Sequence, residues 1–108
     1  MIKFKLLFIY LCFNINIVFP NQDLKGIIRG QVLNSENQLP LAGANILVNK
    51  NNLGTISDEN GFFILENIPQ GYYNISFSYI GYKLKTINDV WVRPRAHDFL
   101  SMTLDPKV

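Results

Sequence analysis

The sequence is poor in the residues that carry chemistry. It has one cysteine, one histidine and one tryptophan among 108 residues, and only 17% of it is charged. A lone cysteine excludes an intramolecular disulfide, and one cysteine with one histidine falls short of a Cys/His zinc site. Ten Lys and Arg residues stand against eight Asp and Glu, a formal net charge of +2. That excess gives no basic footprint for nucleic acid, which is therefore not expected as a partner. No stretch repeats apolar residues at helical spacing for long enough to make a helix. What the chain does have is hydrophobicity, at 48% of residues, too much for a disordered chain. Its length admits one ordinary domain.

The first twenty residues read differently from the rest. Lys3 and Lys5 open onto Leu6–Phe13, with Ile15, Ile17, Val18 and Phe19 beyond. A short basic head before an apolar run is the layout of a secretory signal peptide. Asn14 and Asn16 interrupt the run, leaving it too short and too polar for a membrane span of about 20 apolar residues. The alternatives are a membrane anchor or a buried first strand. Residues 1–22 are accordingly read as a signal peptide, with cleavage between Phe19 and Leu24 although no small-x-small pattern marks the point. Cys12 lies within the run, preceded by Leu11 rather than by the small residue a lipid-anchor signal would want, and is expected to leave with it. The mature chain then has no cysteine, spans no membrane, and carries eight basic residues against eight acidic ones.

From Gly26 onward the punctuation is that of strands and tight turns. Gly26–Leu33 alternates, with Ile28, Gly30 and Val32 on one face and Arg29 and Gln31 on the other. Ala44–Val48 follows the turn-rich stretch Asn34–Pro40, and Gly54–Ser57 follows the polar turn Asn49–Asn52. Phe62–Leu65 comes after Asp58-Glu59-Asn60-Gly61. In the next strand Tyr73, Ile75, Phe77 and Tyr79 share a face. Gly81–Ile87 reads as an amphipathic strand near an edge, where lysines discourage edge pairing. Asn88–His97 reads as irregular, with Pro94 forbidding a central strand there. Phe99–Leu104 closes the series. About seven short strands separated by turn signals indicate a β-sandwich, with residues 25–106 as a single domain.

Several of the turns are specific. Gly30-x-Val32, Pro40-Leu41-Ala42-Gly43-Ala44-Asn45-Ile46, Gly54-Thr55-Ile56-Ser57-Asp58-Glu59-Asn60-Gly61-Phe62-Phe63, Pro69-Gln70-Gly71-Tyr72-Tyr73 and Gly81-Tyr82 occur in that order. The series resembles the carboxypeptidase regulatory-like domain, and the resemblance runs from about Gly26 to Leu104. It implies an all-β, seven-stranded Greek-key sandwich of the transthyretin kind. Ser57 stands where the family's pattern usually has Thr. The motif residues themselves read as devices of fold. Pro40 stiffens a strand entry, Asp58 accepts backbone N–H groups across its turn, and Gly61 supplies a positive φ before Phe63 enters the core.

A peptidase reading finds no support in these residues. Zinc peptidase chemistry needs three protein ligands and a base, whereas His97 is the only histidine and lies in a loop beside Asp98. Asp58–Gly61 resembles a calcium loop only in passing, since aligning Gly61 with the loop glycine puts Ile56 and Asn67 where the motif needs Asp and Glu. Asn74-Ile75-Ser76 is a glycosylation sequon placed mid-strand. No catalytic residue, cofactor or metal is expected. Trp91, Tyr72 and Phe62, with Tyr82 beside them, are candidates for an exposed aromatic surface that stacks on a glycan or packs on another domain, core or rim packing being the alternative.

The resemblance also suggests a setting. Exported domains of the kind it resembles often stand directly after the signal peptide of TonB-dependent outer-membrane receptors, ahead of the plug and barrel. The expected role is a non-enzymatic interaction domain, located in the periplasm or at the outer membrane, with a receptor's plug, barrel or periplasmic proteins as partners. A plug would begin soon after Leu104, and neither plug nor barrel strands occur in these 108 residues, so a leading receptor segment and a free-standing carbohydrate-binding or surface module both remain open.

Overall fold

The alternation of buried and exposed positions places seven strands in two layers. A computed structural model describes residues 24–108. β1 is Lys25–Asn34, β2 Asn45–Val48, β3 Leu53–Ile56, β4 Phe62–Pro69, β5 Gly71–Ser78, β6 Lys85–Val92 and β7 Phe99–Leu104. One sheet has the order β4-β1-β7 and the other β3-β2-β5-β6. β1 runs antiparallel to β4 but parallel to β7, so the first and last strands are neighbours in the same sheet. A parallel pair cannot be joined by a hairpin, and here the rest of the domain forms the connection. The expected signal peptide and Cys12 lie outside the described residues.

Each strand turns one set of side chains inward. In β1 Ile28, Gly30, Val32 and Asn34 are buried while Arg29 is exposed. In β5 Tyr73, Ile75 and Phe77 are buried, as the alternation predicts. Phe77, Ile46, Ile68, Ile75, Leu104, Val32 and Val48 are the largest fully enclosed side chains, and they come from both sheets. Phe63 meets Phe77 edge to face across the layers, with ring centroids 5.7 Å apart. Such a pair adds about 0.5–1.5 kcal/mol to the area it buries.

Two glycines are fixed by this packing. A Cβ on Gly30 would collide with the Leu100 carbonyl oxygen and lie 2.5 Å from the Phe63 ring, so the parallel β1–β7 contact and the Phe63 packing both depend on its absence. Gly61 has φ 78°, and a Cβ there would stand 2.5 Å from the Val32 carbonyl oxygen. Its own carbonyl accepts the Val32 N–H at 2.8 Å. Glycine alone meets both conditions cheaply.

Two strand boundaries differ from the sequence expectation by more than two residues. β4 continues past Leu65 to Pro69, and Ile68 is fully buried. β6 begins at Lys85 rather than Gly81, and includes Asn88–Val92, the stretch read as irregular. The reason in both cases is a β-bulge. Between Tyr73↔Val90 and Ile75↔Ile87, β5 has one residue where β6 has two, and Asp89 takes φ 58°. Between Gly26↔Ile68 and Ile28↔Leu65, β4 carries the extra residue, and Asn67 also takes φ 58°. A bulge interrupts the period of two and hides the strand from a pattern reading. Gly81 and Tyr82 instead belong to the β5–β6 connection, where Lys83 donates its backbone N–H to Asp105 and Lys107 donates to Gly81, each at 2.8 Å. These bonds close that side of the sandwich.

Candidate functional site

The motif residues are absorbed by the fold. Asp58 Oδ1 accepts the backbone N–H of Asn60 and of Phe62, both at 2.9 Å, which holds the turn between β3 and β4. Ser57 is buried and links three segments. Its hydroxyl donates to the Leu41 carbonyl at 2.6 Å and accepts the Ala44 N–H at 2.9 Å. Its backbone N–H donates to the Ala44 carbonyl at 3.0 Å. The Tyr73 hydroxyl donates to the Pro69 carbonyl at 2.6 Å, across the tight reversal at Gln70 and Gly71. Ala44 and Phe63 are core residues, whereas Gly54 is exposed, paired with Leu47 on the outer side of the β2–β3 hairpin. Among the described residues no buried side-chain polar atom lacks a partner.

Tyr82 is not part of an aromatic surface. It is half-buried against the core, its hydroxyl accepts the Asn34 side-chain amide at 2.8 Å, and its ring meets Tyr79 at 5.4 Å. The buried Asn34, whose Oδ1 also accepts the Glu36 N–H at 2.8 Å, supplies a polar partner that local sequence did not reveal.

The other three aromatics are exposed, but the structure divides them between opposite faces. Tyr72 on β5 and Trp91 on β6 are direct cross-strand partners on the outside of the four-stranded sheet. They are 51% and 45% exposed, with ring centroids 4.6 Å apart and planes at 89°. Phe62 lies on the outside of the three-stranded sheet, where it meets Phe99 of β7 edge to face at 6.4 Å. Phe99 is 55% exposed and was not singled out by the sequence, because only the parallel β1–β7 register brings it near Phe62. Ile64 and Ile27 are further exposed apolar residues of the same sheet. The molecule thus has two separate aromatic faces instead of one.

No group of three or more His, Cys, Asp or Glu residues among those described is placed to hold a metal ion. His97 is exposed in the connection between β6 and β7. No helix among the described residues is long and apolar enough to cross a membrane.

Residues 28–102 match the family described as CarboxypepD_reg-like domain. The chain belongs to that family. Its members, like the fold, are non-catalytic interaction or regulatory β-sandwich domains. Solved structures share the β-sandwich at low identity. A chain from a type II cohesin–X-dockerin complex of Acetivibrio cellulolyticus superposes with TM-score 0.64 and 18% identity, over 73% of this chain and 56% of that one. A putative carbohydrate-binding protein from Bacteroides uniformis gives 0.56 and 10%, over 74% of this chain and 41% of that one. BcpA, the major pilin subunit of Bacillus cereus, gives 0.54 and 22%, over 77% and 30%. This chain therefore spans little more than half the length of the first of these and less of the others. At such identities the likeness is one of fold. No curated protein matches the chain.

Proposed function

We propose that this chain is an exported, non-enzymatic interaction domain and forms the periplasmic N-terminal extension of a TonB-dependent outer-membrane receptor. The observation that carries the interaction reading is the distribution of its aromatics. The signature residues are spent on turns and core, while Phe62, Phe99, Tyr72 and Trp91 remain exposed on the outer faces of the two sheets. Exposed aromatic clusters are the usual anchors of protein contacts. The receptor setting is supported by the order of segments, a basic head and apolar run before a domain of this family.

The genomic DNA beyond Val108 tests the setting. An in-frame plug and barrel is the expected result, and a stop codon there would overturn the receptor reading. Mass spectrometry of the exported protein tests the leader. The expected new N-terminus lies between Phe19 and Leu24, and an intact Met1 would contradict cleavage.

A second reading, a carbohydrate-binding module, is favoured specifically by the Tyr72–Trp91 pair. An aromatic pair on an open sheet offers an apolar face for a sugar ring. Its test is a glycan array with the wild-type chain and Trp91→Ala. Binding that survives the substitution unchanged removes Trp91 from the site.

A further inference from the structure

The three-stranded sheet carries a second feature, next to its aromatic pair, that no motif of the family explains. The β6–β7 connection folds over the beginning of β1, and the two enclose a depression lined by Lys25 and Arg29 from β1 and by Arg95, His97 and Asp98 from the connection. Phe99 and Ile27 give it an apolar side. Arg29 and Arg95 thus share one concavity with a single carboxylate, that of Asp98. Arg29 and Phe99 also line a second, more apolar depression that runs on to Phe62, Ile64 and Ile56, and whose one carboxylate, Asp58, accepts the N–H groups of its own turn. The two depressions therefore form one groove, cationic at one end and apolar at the other, with Arg29 at the join.

The sheet register sets the spacing within this groove. Arg29 lies between Ile64 and Phe99 in the sheet, and Gln31, two residues on, lies beside Phe62. Two residues of strand advance about 7 Å, which is also the interval between same-side residues of any extended segment laid over the face. The cationic end selects carboxylates, and the Phe62–Phe99 end selects apolar side chains.

We propose that this groove docks an extended acidic segment of a partner polypeptide, one that places a carboxylate at Arg29 and Arg95 and an apolar side chain, two residues further along, on Phe62, whose ring Phe99 flanks. The proposal rests on the interaction-domain reading and assigns that function to one face. Arg29, Arg95, Phe62 and Phe99 are all exposed, so they are free to be exchanged without breaking the core.

The test is a nuclear magnetic resonance titration of the full chain, labelled with nitrogen-15. The probes are a blocked peptide, acetyl-Ser-Glu-Thr-Phe-Thr-Leu-Ser-amide, its glutamine counterpart, and inorganic phosphate. The expected result is a set of amide shifts confined to Ile27–Gln31, Phe62–Ile64 and Arg95–Phe99 with the glutamate peptide. Affinity falls by about fivefold with the glutamine peptide, and equally with Arg29→Gln combined with Arg95→Gln, while Lys107→Gln binds as the parent does. Equal binding of the two peptides overturns the proposal, because the cations are then idle. Phosphate binding as tightly to the same residues also overturns it, since the depression is then a simple anion site. Shifts at Tyr72 and Trp91 instead remove the groove while leaving an interaction domain in place. No shift with either peptide overturns the groove alone, and photo-crosslinking in the producing cell then decides the interaction-domain reading separately.

Discussion

Ser57 shows how one small side chain can tie a turn-rich region together. Its hydroxyl satisfies the Leu41 carbonyl and the Ala44 N–H, both inside the fold, at 2.6 and 2.9 Å. Ser57→Ala leaves those two groups without a partner, and each buried unsatisfied group costs about 1–3 kcal/mol. Urea denaturation of the variant is expected to show an unfolding free energy lowered by at least that amount, read as a lower midpoint with the slope unchanged. An unchanged midpoint would mean that water replaces the hydroxyl. The neighbouring Asp58 and Gly61 were legible from the sequence, since their roles are local: an acceptor for the N–H groups of its own turn and a positive φ. The roles of Ser57, Gly30 and Asn34 were not legible, because each partner, at Leu41, at Leu100 and at Tyr82, is brought in by another strand or turn.

At the scale of elements, β1, β2, β5 and β7 could be read from alternation because each has an unbroken buried face. β6 could not. Its bulge at Asn88 and Asp89 shifts the period in mid-strand, so that Lys85, Ile87 and Val92 do not alternate in one frame. The bulge is held from the neighbouring strand, where Asn74 Oδ1 accepts the Asp89 N–H at 3.1 Å. Asn74→Ala removes that acceptor. The Asp89 amide is expected to exchange with solvent about tenfold faster, corresponding to a loss of about 1.4 kcal/mol, while the amides of β1 and β7 exchange as before. Exchange unchanged at Asp89 would show that the bulge is fixed by the sheet pairing alone. The bulge also bears on the outer face, since Trp91 lies two residues beyond Asp89 and is aimed outward beside Tyr72.

For the whole molecule, the two sheets are joined by one apolar core, to which Phe77 contributes the largest fully enclosed side chain. Phe77→Ala is expected to destabilise the domain by about 3–5 kcal/mol, read as a fall in Tm or urea midpoint. A loss below about 1 kcal/mol would contradict a tightly packed inter-sheet core. That the chain is a sandwich was legible from turn spacing and family motifs. That its aromatics form two faces, and that the β6–β7 connection sets a cationic depression beside one of them, was not, because the first depends on how the strands divide between the two sheets and the second on the parallel closure of β7 onto β1. The proposed function belongs at this scale as well: it would be exercised by the outer faces of the domain on another polypeptide. The most direct measurement is site-specific photo-crosslinking in the producing cell, with the photoreactive residue placed in turn at Phe62, Phe99, Tyr72, Trp91 and Lys107. The account predicts discrete polypeptide adducts from Phe62 and Phe99 and none from Lys107. Adducts absent from both outer-face positions, and from Tyr72 and Trp91 as well, would contradict it.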